Sequence, residues 1–253
     1  MTALAGHHAV VTGGGRGIGR AIAAALTAAG ASVTVVGRAE ALLKEAVSKG
    51  HARSYQVADV TDAMAVKAAF KNAADAHGPI SILVANAGGA QSASFAKTDP
   101  DTFRRMFEVN TLGVVHAAQA VLPDMIARKS GRIITIASTA GLKGYAYVSA
   151  YVAAKHATVG LVRALAAETS KTGVTVNALC PGYTDTDLVG DSLTQITQAT
   201  GRTREAALAS LLKDSPLGRL IRPEEVAAAA LFLCSNEAAG ITGTALPIAG
   251  GEI

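Results

Sequence analysis

The chain has no tryptophan, and phenylalanine and tyrosine together make up only 4% of it. Its core must therefore be assembled from Ala, Val, Leu and Ile, and the 26 glycines suit closely packed helices on a sheet. Cysteine is nearly absent. Cys180 and Cys234 are two thiols far apart in sequence, which excludes a disulfide framework or a zinc site and favours a reduced, cytoplasmic protein. No run of eighteen apolar residues occurs, so no membrane-spanning helix is expected. The start, Met1 to His8, lacks the basic region and long apolar stretch of a signal peptide. The histidines show no metal-ligand spacing, and no metal is expected. Net charge is +4, but no run of five basic residues exists, so no nucleic-acid partner is expected. With 50% hydrophobic residues and a mean hydropathy of +0.32, the chain is not disordered.

What is present is a strand–helix alternation along all 253 residues. Short apolar, β-branched runs stand at Ala9–Thr12, Ser32–Val36, Ser54–Val57, Ile80–Val84, Arg132–Ile136, Val174–Leu179 and Thr244–Ile248. Helical patterns separate them at Gly19–Ala29, Glu40–Ser48, Asp62–His77, Pro100–Asn110, Gly113–Lys129, Ser149–Thr172 and Pro223–Cys234. Continuously apolar strands alternating with helices predict one α/β domain: a doubly wound, Rossmann-type parallel sheet of about seven strands with helices on both faces. Asp185–Leu217 breaks the rhythm. It is polar, Thr-rich and only weakly helical (Arg204–Lys213), as expected of a lid or binding loop.

Two local patterns carry chemistry. The first is Thr12-Gly13-Gly14-Gly15-Arg16-Gly17-Ile18-Gly19, a glycine-rich turn running from a strand into a helix. Such a turn lets backbone approach a pyrophosphate, and the helix start supplies free N–H groups and a positive dipole end. At the end of the second strand, Val36-Gly37-Arg38 offers no carboxylate for a ribose 2′-hydroxyl. Arg38, with Arg16 as a second charge, can instead face a 2′-phosphate, which favours NADP over NAD. Glu40 or a backbone group is the alternative ribose partner.

The second pattern is Tyr151-x-x-x-Lys155 on a helix, with Ser138 just past the fifth strand. A spacing of four puts Tyr151 and Lys155 on one helix face. A phenol titrates near pH 10, and a nearby ammonium favours its ionised form. Tyr151 can then exchange a proton with a carbonyl or alcohol oxygen, and Ser138 can hydrogen-bond that oxygen.

With these motifs the chain resembles the short-chain dehydrogenase/reductase family over essentially its whole length. Besides Thr12–Gly19, Ser138 and Tyr151-x-x-x-Lys155, the matching residues are Asp59-Val60, Asn86-Ala87-Gly88, Asn110, and Pro181-Gly182 followed by Thr186. The resemblance implies that Gly13, Gly17 and Gly19 surround the pyrophosphate, that Gly15, Arg16 and Ile18 of the same turn belong to the cofactor site, that Asp59 and Val60 meet the adenine, and that Asn86 steadies the sheet beside the cofactor. It implies Tyr151 as acid/base, Lys155 as its pKa-lowering neighbour and ribose ligand, Ser138 as the substrate-orienting hydroxyl, and Asn110 as holder of a water leading from Lys155 to solvent. Pro181, Gly182, Thr184 and Thr186 would contact the nicotinamide end. A homotetramer assembled through Gly113–Lys129 and Ser149–Thr172 is also implied.

Motifs of this kind set the chemistry and leave the substrate open. Ser149–His156 resembles 3-hydroxybutyrate dehydrogenases, whereas Ile136–Gly141 and Val176–Gly182 resemble 3-oxoacyl and polyketide ketoreductases. Lys143, Arg202, Arg204 and Lys213 offer positive charge for a carboxylate or for the phosphates of a coenzyme A or carrier arm, and Tyr145, Tyr147 and Tyr183 are candidate pocket walls. The expectation is an NADP-dependent enzyme interconverting 3-oxoacyl and 3-hydroxyacyl thioesters. The alternatives are an NAD-dependent dehydrogenase of a free 3-hydroxy acid and one of another secondary alcohol or polyol.

Overall fold

A computed structural model describes residues 3–253. Seven strands form one parallel sheet: β1 (His8–Thr12), β2 (Ser32–Gly37), β3 (Ser54–Val57), β4 (Ile80–Ala85), β5 (Gly131–Ile136), β6 (Val174–Pro181) and β7 (Ala245–Ile248). Their order is β3-β2-β1-β4-β5-β6-β7. The chain reverses direction across the sheet between β1 and β4, and such a switch point opens a crevice at the carboxyl ends of the two strands.

Alternation along the strands explains the two cores. Ala9 and Val11 of β1 point to one face and Val10 to the other, all fully buried. The first face is covered by α1 (Gly17–Ala28), α2 (Glu40–Ser48) and α9 (Pro223–Cys234), through residues such as Ile22, Leu43 and Leu233. The second is covered by α3 (Ala63–His77), α5 (Gly113–Ala127) and α6 (Ser149–Thr169), through Phe70, Met125 and Val162. α1 packs on α9, and α3 on α5. With no tryptophan available, small side chains such as Ala117, Ala154 and Ala230 let helices approach closely.

Three stretches differ from expectation. The helices expected over Pro100–Asn110 and Gly113–Lys129 are one continuous rod: α4 (Pro100–Phe107) passes through a π-helical turn, Glu108–Leu112, directly into α5. Asp99 caps the rod's start through Thr102 N–H at 2.6 Å. α6 ends at Thr169 rather than Thr172. In Asp185–Leu217, α7 (Asp187–Thr200) precedes α8 (Arg204–Leu211), and α7 was not anticipated. Its threonines hide the helix because Thr is a poor helix former. Here Thr194, Thr197 and Thr200 turn their hydroxyls onto carbonyls of the preceding turn, and Val189 and Leu193 pack against Ala207 in a small core of their own.

The amino ends of the strands carry a histidine cluster. His8, 2% exposed, lies 2.7 Å from the Gly78 carbonyl through Nδ1 and 3.0 Å from Thr34 Oγ1 through Nε2. Its ring stands edge-on to His77. Burial pulls the His8 pKa below its ordinary 6.5, against the pull of the Gly78 carbonyl, and the neighbouring His77 adds to the fall. A group whose folded pKa is lowered binds fewer protons than in the unfolded chain, so its contribution is present above pH 6.5 and lost as pH falls below it. The thermal midpoint should therefore decline from about pH 6.5 downward, and His8→Phe should flatten that slope. An equal slope in both proteins would count against this account.

Candidate active site

The site is a cleft of about 1230 Å³ along the carboxyl edge of the sheet. It runs from the glycine-rich turn past Ser138, Tyr151 and Lys155 to residues of α7 and α8. The sequence-selected residues Gly13, Gly15, Arg16, Gly17, Ile18, Arg38, Asp59, Val60, Asn86, Ala87, Gly88, Asn110, Ser138, Tyr151, Lys155, Pro181, Gly182, Thr184 and Thr186 all line it. Gly19 does not line the cleft; it lies behind the turn.

The crevice between β1 and β4 is held in shape by Asn86. Its Nδ2 donates to the carbonyls of Thr12 and Gly13 at 3.0 and 3.2 Å. In return, Thr12 Oγ1 accepts from the N–H groups of Asn86 and Ala87 at 3.0 and 3.1 Å. Gly13 has φ +65, and a Cβ on Gly19 would stand 2.4 Å from both Asn86 Nδ2 and the Gly13 carbonyl. No larger residue fits at Gly19 without opening the turn. At the start of α1 no side chain caps the free N–H groups, and no acidic residue stands in the first turn. Uncapped N–H groups facing a cleft, beside a turn with no room for side chains, fit the pyrophosphate of a dinucleotide.

At the end of the cleft beside Arg38, Asp59 Oδ1 accepts from the N–H and hydroxyl of Thr61 at 3.0 and 2.8 Å. The Thr61 N–H is the main reason the Asp59 carboxyl lies below its usual range. Its Oδ2 is 3.5 Å from Arg38, whose side chain is 78% exposed. Arg16 pairs at 3.5 Å with Asp187 of α7, both exposed. Such long, exposed pairs are weak and can reopen for an anion. Glu40 is not on the cleft; it is held by Lys44 at 3.1 Å and the Tyr55 hydroxyl at 3.1 Å.

The reacting end is built by the π-helical turn. Asn110 Nδ2 donates to the carbonyls of Gly89 and Met106 at 2.9 and 3.0 Å, and its Oδ1 accepts from Gly89 N–H at 3.2 Å. The Asn110 carbonyl accepts from Thr158 Oγ1 of α6 at 2.9 Å. Thr111 Oγ1 donates to the Ala154 carbonyl, also on α6, at 2.9 Å. Asn110 thus ties the loop after β4 to α6, the helix that carries Tyr151 and Lys155. A water on Asn110 would use the lone pairs that remain. π-helical turns recur at functional sites because they turn a carbonyl out of the helix ladder. Here Thr158 takes that carbonyl.

Lys155 is 4% exposed and donates to the Ile136 carbonyl at 2.9 Å. Burial lowers its pKa to about 8. Its Nζ lies 5.7 Å from the Tyr151 ring centre. Burial raises the Tyr151 phenol, with the Ser138 hydroxyl pulling the other way. The Lys155 ammonium is turned to Ile136, and loss of hydration is the largest effect on the phenol. The phenol is therefore held protonated. Ser138 Oγ accepts from Ala140 N–H at 3.1 Å, while its hydroxyl faces the Tyr151 oxygen.

The lysine and arginine residues expected near the substrate divide. Arg202 lines the cleft; Lys143, bound to Glu252 at 3.2 Å, Arg204 and Lys213 do not. Lys97 and Glu252 line the cleft and were missed. Neither carries a local motif, and both reach the site through tertiary packing. Tyr145, Tyr147 and Tyr183 are all cleft walls. Tyr147 adopts φ +66, with its carbonyl held by Ala93 N–H at 2.8 Å.

The sequence profile of the short chain dehydrogenase family matches residues 7–197. The chain belongs to the short-chain dehydrogenase/reductase family and is an NAD(P)-dependent oxidoreductase acting on a small-molecule substrate. It is 38% identical over 256 residues to oxidoreductase UcpA of Escherichia coli, covering 100% of this chain and 96% of that one. It is 37% identical over 255 residues to a D-beta-hydroxybutyrate dehydrogenase of Cupriavidus necator, covering 99% of each. A variant of actinorhodin polyketide ketoreductase, solved with NADPH, superposes with a TM-score of 0.93 at 32% identity, covering 97% of each chain.

Lys155 loses its proton as pH rises through about 8, whereas the phenol stays protonated. The kcat/KM for ketone reduction should therefore fall above about pH 8. A profile flat to about pH 10 would contradict the role of that charge.

Proposed function

We propose that the protein interconverts 3-oxoacyl and 3-hydroxyacyl thioesters with NADP(H). The observation that carries this reading is the pairing of Lys143 with Glu252 at 3.2 Å. A free 3-hydroxy acid would be favoured by an unpaired cation beside Ser138. Lys143, close in sequence to Ser138, stands behind the cleft wall and is already neutralised by Glu252. A thioester carries no charge there. Its distant phosphates would meet the exposed Lys97 and Arg202 on the cleft margin. The likeness to a polyketide ketoreductase agrees with this.

In this reading Gly13, Gly15, Arg16, Gly17, Ile18 and the turn packed on Gly19 cradle the pyrophosphate. Arg38 swings from Asp59 to a 2′-phosphate, Asp59 and Val60 flank the adenine, and Asn86, Ala87 and Gly88 line the middle of the cofactor. Pro181, Gly182, Thr184 and Thr186 hold the nicotinamide end, and the 185–217 segment is the lid. When bound, the nicotinamide exchanges a hydride with the 3-carbon of the substrate. Ser138 holds the substrate oxygen, and Tyr151 gives it a proton in reduction and takes one in oxidation. Lys155 has ammonium protons beyond the one given to Ile136, and these hold the ribose and the proton path. The lowered Lys155 pKa suits transfer near neutral pH. A homotetramer belongs to the same reading. Its support is the exposed small residues Ala153, Gly160 and Ala164 on α6, beside an apolar groove of Phe103 and Phe107.

Acetoacetyl-CoA should be reduced rapidly with NADPH and slowly with NADH. Arg38→Ala should raise KM for NADPH by about tenfold and leave that for NADH nearly unchanged. Tyr151→Phe should lower kcat by at least ~10²-fold. Turnover confined to NADH, or restricted to 3-hydroxybutyrate with NAD, would refute the proposal.

A further inference from the structure

The substrate end of the cleft holds a charge cluster that catalysis as described above leaves unused. The segment Gly250-Gly251-Glu252 turns through two left-handed glycines, φ +61 and +88. They pack on Leu217 and Pro216. This delivers the Glu252 side chain, 5% exposed, to the cleft wall beside Gly182. Oε1 accepts from the Tyr145 hydroxyl at 2.5 Å and pairs with Lys143 at 3.2 Å. Lys143 also donates to the Glu252 backbone carbonyl at 3.2 Å, so it is tied at two points.

Tyr145 has one proton, which goes to the carboxylate, so its oxygen accepts from Thr139 Oγ1 at 2.7 Å. Burial and the Glu252 carboxylate keep that phenol well above its ordinary pKa and therefore protonated. Thr139 adjoins Ser138, and a continuous set of contacts links Glu252 to the reacting end. Oε2 lies on the Gly182 side, where a Cβ would stand 3.1 Å from it, and no donor reaches it among the described residues. Asp214 also lines the cleft and places negative charge near Tyr183.

We propose that Glu252 is a specificity-determining residue: its fixed carboxylate rejects substrates that carry a carboxylate beside the reacting carbonyl and so selects neutral ones. This deepens, and rests on, the ketone-reductase reading of the cleft. A second carboxylate brought against a nearly buried one loses hydration and meets like charge, and specificity arises from that repulsion. Lys143, held by both the carboxylate and a backbone carbonyl, is not available to a substrate anion.

Acetoacetate and ethyl acetoacetate share the reacting ketone and differ in charge. Their kcat/KM ratio with NADPH should favour the ester by about tenfold or more in the wild type. Glu252→Gln keeps an acceptor for Tyr145 and removes the charge, so the ratio should shrink by about tenfold. Lys143→Met leaves the carboxylate uncompensated, so the ratio should widen. The ratio of the two dissociation constants, read from quenching of protein-bound NADPH fluorescence, should move in the same directions. Shifts of opposite sign in the two variants support the assignment. Unchanged ratios, or shifts of the same sign, overturn it. A protein that binds the ester selectively but reduces neither compound would refute the reductase reading and leave this charge selection standing.

Discussion

The Asn86 amide joins two strand ends that are neighbours in space and far apart in sequence. Both of its N–H bonds go to the carbonyls of Thr12 and Gly13, and the Thr12 hydroxyl closes the pair from the other side. Parallel strands leave such carbonyls unpaired where they diverge, and a buried unpaired carbonyl costs about 1–3 kcal/mol. Asn86 removes that cost at the switch point of the sheet. In doing so it fixes the glycine-rich turn and aims the start of α1 into the cleft. The turn admits no alternative packing, because Gly13 and Gly19 both abut the same amide.

A second set of constraints acts at the reacting end. The π-helical turn frees the Asn110 carbonyl for Thr158 and brings Thr111 onto Ala154. Both contacts lock α4 and α5 to α6, on which Tyr151 and Lys155 are carried. Burial then sets the protonation states, holding the phenol neutral and bringing the amine to about 8. The site is thus prepared by its packing before any ligand arrives. Preorganised groups need little rearrangement during reaction.

Much of this was legible in the sequence. The strands are runs of Val and Ile with helices between them, and their periodicity alone implies a parallel sheet. The glycine-rich turn, Ser138, Tyr151 and Lys155 are read from residue type and local spacing, and they converge on one cleft. The illegible parts depend on contacts between distant segments. α7 was hidden by threonines whose hydroxyls fold back on their own helix. The π-helical turn has no composition of its own; Thr158, 48 residues from Asn110, supports it. Lys143 looked like a free cation because its partner lies 109 residues away. The adjacent glycines Gly250 and Gly251 announce a tight turn, but not that it carries Glu252 to the cleft.

If the Asn86 lock shapes the dinucleotide site, removing its amide must weaken cofactor binding. The direct measurement is a fluorescence titration of NADPH into the wild type and into Asn86→Leu, which keeps the branched shape and removes the amide. The wild type should bind saturably, with one molecule per chain. The variant should bind about ten- to a hundredfold more weakly, matching about 1–3 kcal/mol of lost support. Equal affinity in the two proteins, or no binding by the wild type, would contradict the claim.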